Sequence, residues 1–126
     1  MAIDAALRQQ LPTGDGKDVA GFVVQLFGHP PWDSAACLIP DIEARVASGE
    51  QKYGMRLKTN NGRNATLDLY QEILDGVNYA AQNILEGAGR PDASAFVEPY
   101  LKVFQDLVDI AIRVKKLLLA QETVVQ

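Results

Sequence analysis

The chain has 126 residues, enough for one domain with a real core, and a second domain is not expected. Its formal charge of −4, from 12 basic and 16 acidic residues, argues against nonspecific nucleic-acid binding, while a local basic patch that holds phosphate remains compatible. One cysteine and one histidine exclude an internal disulfide and a Cys/His zinc site, and no apolar run reaches the roughly 20 residues that span a bilayer. With a charged N-terminus, MAIDAALRQQL, the expectation is a soluble cytoplasmic protein with no membrane and no nucleic-acid partner.

Residues 3–11 predict a short helix that Pro12 stops, followed by a turn through TGDGKD. Asp18 is placed to cap a helix running to Phe27, where Val19, Phe22, Val23, Leu26 and Phe27 recur at helical spacing and Gly28 ends the run. The loop GHPPWDS carries the single histidine and the single tryptophan. His29 has no partner at a suggestive spacing and reads as structural or exposed; Trp32 is expected to pack against the bundle and anchor the arm formed by residues 1–36. Cys37 reads as a small buried hydrophobe.

A helical core is expected over 37–122. Pro40 suits the first residue of a helix, where its missing N–H does no harm, and Gly54 suits its end. Ile42, Val46 and Tyr53 mark its buried side, Asp41 and Arg45 form an i, i+4 pair, and Glu43 and Glu50 lie two turns apart at the edge of the apolar stripe. From there to Leu67 come Lys52, Arg56, Lys58 and Arg63 with no carboxylate between them, a candidate phosphate grip in an acidic chain. A solvated basic loop is the other reading. Asn61-Gly62 signals a turn, and RLKT has enough extended character for a short strand.

Asn64 caps the next helix, 65–86. At 100° per residue Leu67, Leu69, Tyr70, Ile73, Leu74, Val77, Ala80, Ala81 and Ile84 gather on one face, which must be buried. Asp68, Glu72, Asp75, Tyr79, Gln82 and Glu86 occupy the opposite face, with no Lys or Arg to relieve repulsion worth a few tenths of a kcal/mol per pair. This row is either a solvated face or a set of hard oxygen ligands, with Glu72 and Asp75 sharing one Mg²⁺. Gly87 is the expected C-cap. The last helix, about 95–121, starts near Ser94 or at Pro99; Tyr100, Phe104, Leu107, Ala111, Val114 and Leu118 follow heptad spacing, and further apolar residues widen the face almost all round. The whole is all-α, a bundle of four to five helices.

Taken together, Lys52-Tyr53-Gly54, Asn61-Gly62-Arg63, the run Asp68 to Asp75 and Tyr79 resemble small phage and prophage proteins of the MazG-like, all-α nucleoside triphosphate pyrophosphohydrolases. The resemblance covers roughly 41–86. It implies a homodimer or homotetramer that cleaves a nucleoside triphosphate to the monophosphate and pyrophosphate with Mg²⁺. Glu72-Ile73-Leu74-Asp75 matches the family's Glu-x-x-Asp metal motif; in place of its first Glu-x-x-Glu the chain offers Glu43 with Glu50, or Asp41. By the same resemblance Glu50 or Asp68 orients the water, Lys52, Arg56, Lys58 and Arg63 meet phosphate, and Asn61, Asn78 and Tyr79 meet the nucleoside. The competing class is a noncatalytic helical module that binds nucleotide or oligomerises through its last helix.

Overall fold

The computed structural model describes residues 16–125, with side chains through Gln121, so the helix expected over 3–11 lies outside the described residues. The described residues are all-α: α1 (Val19–Leu26), a 3₁₀ turn (Asp33–Leu38), α2 (Ile39–Tyr53), α3 (Ala65–Gly87) and α4 (Ala93–Val125). The chain divides between Arg63 and Asn64 into two units.

In the first unit α1 stops where Phe27 and Gly28 turn their amides back onto Val23 and Gln25. Asp18 precedes α1 as expected, but its side chain makes no cap hydrogen bond. Pro40 lies in the first turn of α2 and Asp41 sits there too, favourable against the positive end of the helix. Gly54 closes α2 at φ 75°, a left-handed conformation that glycine adopts without a Cβ penalty, and donates to the Glu50 carbonyl at 2.8 Å. The RLKT segment does pair with another stretch, though as a single antiparallel bridge between Asp18 and Lys58 and not as a strand. Val19 N–H donates to the Leu57 carbonyl and Thr59 N–H to the Lys17 carbonyl.

Four local expectations for this unit change. Tyr53, expected on the buried side of α2, is 41% exposed. Trp32 is 53% exposed and so is not packed into a core as expected; the start of the arm it is expected to anchor lies outside the described residues. Cys37 is exposed, because the 3₁₀ turn that carries it buries none of its residues. Among the described residues Asp41 and Arg45 form no ion pair, in keeping with the small gain that an exposed i, i+4 pair offers against side-chain entropy.

The second unit is an antiparallel hairpin of α3 and α4. Asn64 caps α3 by accepting the Leu67 amide at 3.1 Å. Every buried apolar side chain among the described residues belongs to this unit: Leu67, Ile73 and Ala80 from α3, and Ala111, Val114 and Leu118 from α4. Ile73, Ala111 and Val114 form one cluster that Tyr70 flanks. The two ends of the hairpin are pinned, by Gln121 Nε2 donating to Thr66 Oγ1 at 2.9 Å and by Gly87 lying against Phe96. Gly87 is therefore not the expected cap. It is the last, buried residue of α3, and Ala88 follows as the cap in right-handed conformation. α4 begins at Ala93 and continues through Pro99.

Candidate functional site

On α3 the contact with α4 fixes the orientation of every other side chain. Because Ile73 and Ala80 face the core, residues about half a turn away project outward. Glu72 and Asp75 are exposed there, one turn apart, and among the described residues neither is ion-paired. Side chains three apart on a helix stand about 5–6 Å from each other at Cβ, within reach of one hydrated cation. Asp68 lies one turn earlier and is half-buried. On the other side of the pair, Asn78 is exposed and the Tyr79 ring is 65% exposed. Glu86, at the end of this row, accepts a hydrogen bond from Gln82 at 2.9 Å. The face thus combines exposed carboxylates, an amide and an aromatic ring on one rigid element.

The other candidates belong to the first unit. Arg56 grips Asp18 with two hydrogen bonds, Nη2 to Oδ2 at 3.1 Å and Nε to Oδ1 at 3.4 Å, and its Nη1 reaches Glu50 Oε1 at 3.5 Å. The guanidinium hydrogen bond holds the Asp18 carboxyl below its ordinary range, and the same bond raises Arg56. In this arrangement Arg56 is neutralised by carboxylates, and Glu50 answers a cation. Lys52 places its ammonium 5.1 Å from the centre of the Tyr53 ring. Lys58 is half-buried at the bridge to Asp18. Asn61 is 8% exposed and its Oδ1 accepts the Arg63 amide at 3.1 Å, so its side chain builds the turn, between Asn60 at φ 52° and Gly62 at φ 82°. Asp41 and Glu43 are exposed on α2.

Among the described residues no group of three or more His, Cys, Asp or Glu side chains is gathered to hold a metal. A fully protein-built cage is thus not formed by these residues. Asp18, read from sequence only as a helix cap, is the residue whose role was not visible: its partner lies 38 positions away, and no local spacing signals the pair. No helix among the described residues is long and apolar enough to cross a membrane. No protein-family model matches this sequence, and no curated protein and no solved structure matches it.

Proposed function

We propose that the protein is a Mg²⁺-dependent nucleoside triphosphate pyrophosphohydrolase of the MazG-like kind, acting as a homo-oligomer, with its metal-binding carboxylates on α3. The observation that carries this reading is the exposed Glu72 and Asp75 pair, one turn apart and without a protein cation among the described residues.

The donor set suits the way Mg²⁺ is usually held, by one or two carboxylates with nucleotide phosphates and water completing an octahedron. Glu72 and Asp75 would hold the ion, which supplies charge neutralisation for phosphate oxygens and lowers the pKa of bound water. Asp68 would orient the attacking water and accept its proton. Water adds across the bond between the α- and β-phosphates, so the monophosphate leaves with the new oxygen and pyrophosphate departs. Tyr79 offers its exposed ring to the base and Asn78 its amide to the nucleoside. The direct test is product analysis with a panel of nucleoside triphosphates and Mg²⁺. Monophosphate and pyrophosphate in equal amounts support the reading; diphosphate and phosphate, or no turnover, count against it.

A second reading, a noncatalytic helical module, is favoured by another observation. α4 leaves Leu101, Val103, Ile110, Ile112 and Leu117 between 41% and 62% exposed, more apolar surface than a lone hairpin needs to display. On that reading the protein assembles but releases no pyrophosphate.

A further inference from the structure

α4 meets α3 along Phe104, Leu107, Ala111, Val114 and Leu118, and that stripe is at least half-buried. Beside it runs a second apolar row at strict seven-residue spacing: Val103, Ile110 and Leu117, respectively 47%, 41% and 62% exposed. Residues seven apart stay nearly in line along a helix, so this exposed apolar row has the form of a seam suited to packing against another helix. Along its outer edge stand Asp106 and Arg113, also seven apart.

We infer that this row is the contact between two copies of the chain, paired as antiparallel α4 helices about a twofold axis at Ile110. The pattern is its own complement. With Ile110 on the axis, Val103 of one copy comes level with Leu117 of the other, and Ile110 meets Ile110, as an isologous interface requires. The same operation brings Asp106 within one residue of Arg113 of the second copy, a rise of about 1.5 Å, on both sides of the axis. A parallel pairing would instead put the Asp106 and Arg113 edges of the two copies on opposite sides of the seam, where these charges do not meet, so the charges favour the antiparallel arrangement. Arg113 is exposed and among the described residues has no ion pair within its own chain, whereas Asp106 is shared with Lys102 at 2.7 Å. The inference names the surface for the assembly proposed above and is independent of whether α3 hydrolyses anything.

Sedimentation equilibrium of the full chain over a micromolar concentration series tests it, with helical circular dichroism as the check on folding. The expected result is a dimer whose dissociation constant rises at least about thirtyfold in Ile110→Lys, the scale of a central interface residue. Arg113→Asp weakens the dimer, and Asp106→Arg combined with Arg113→Asp restores it, because the swap re-forms both pairs only across an antiparallel interface. A monomer throughout, a dimer indifferent to a folded Ile110→Lys variant, or a double variant no tighter than Arg113→Asp alone would overturn the inference. The charge variants decide the matter if Ile110→Lys does not fold. None of these readouts depends on turnover, so loss of activity with an intact dimer would count against the enzyme reading alone.

Discussion

Arg56 and Asp18 lie 38 positions apart in the chain, and their side chains meet at 3.1 Å. The pair ties the segment after α2 to the residue that starts α1, beside the bridge between Asp18 and Lys58. Both side chains are about two-fifths exposed, so salt screens the interaction and its contribution is modest. Because the guanidinium lowers the folded-state pKa of Asp18 from 3.8, the tie is fully present above that pH. It is lost as pH falls through the lowered value, where the folded carboxylate also takes up its proton. Thermal unfolding against pH should therefore show Asp18→Asn slightly less stable than the natural chain at neutral pH, with the two curves converging in acid. A gap that widens on acidification would contradict the assignment.

Two glycines of α3 should respond to alanine in opposite directions. A Cβ at Gly76 would meet the Leu107 methyl groups at 3.6 and 3.8 Å, ordinary contact, so Gly76→Ala should gain up to about 1 kcal/mol from helix propensity. A Cβ at Gly87 would collide with Phe96 Cδ1 and lie 2.8 Å from its Cε1, and Arg90 stacked 4.4 Å over that ring limits its retreat. Gly87→Ala should cost about 1–3 kcal/mol in urea unfolding.

The hairpin core should be far more sensitive than its outer surface. Leu118, 3% exposed, should cost about 2–5 kcal/mol on truncation to alanine. Leu85→Ala, at a side chain 77% exposed, should change stability by no more than about 0.5 kcal/mol. Denaturant midpoints at constant slope would measure both.

Loss of the α3 cap should be intermediate. Asn64→Ala frees the Leu67 amide and should cost about 1 kcal/mol, while Asn64→Ser should recover most of it because a hydroxyl can accept the same bond.

What could be read in the sequence follows from how local each cause is. Pro40, Gly54 and Asn64 act within one helical turn of themselves; Gly54 and Asn64 stand where the sequence placed them, and Pro40 lies one residue inside the start of α2. The heptad run from Tyr100 to Leu118 likewise named the α3-facing stripe, since periodicity alone defines a face. Gly87 has the residue type of a cap, but its role depends on Phe96, which reaches it across the turn. The start of α4 was ambiguous for a related reason: Pro99 withdraws an amide, yet the helix runs back to Ala93, where Phe96 packs on Gly87 and 5.4 Å from Tyr100. For Trp32 and Cys37 residue type favours burial, and type does not say whether a 3₁₀ turn has anything to pack against. The acidic row of α3 could be placed on one face from spacing, whereas the engagement of Arg56 by two carboxylates required the fold.

The central claim, that Glu72 and Asp75 hold the metal of a pyrophosphohydrolase, is tested most directly by pyrophosphate release with Mg²⁺ from the natural chain and from Glu72→Gln and Asp75→Asn. Both variants keep the size and helix-forming character of an exposed position, so folding is expected to be unchanged within about 0.5 kcal/mol. The account predicts turnover in the natural chain and a fall of about a hundredfold or more in each variant, the scale of losing an electrostatic group from a reacting centre. Turnover that survives both substitutions, or no release from any nucleoside triphosphate, would contradict it.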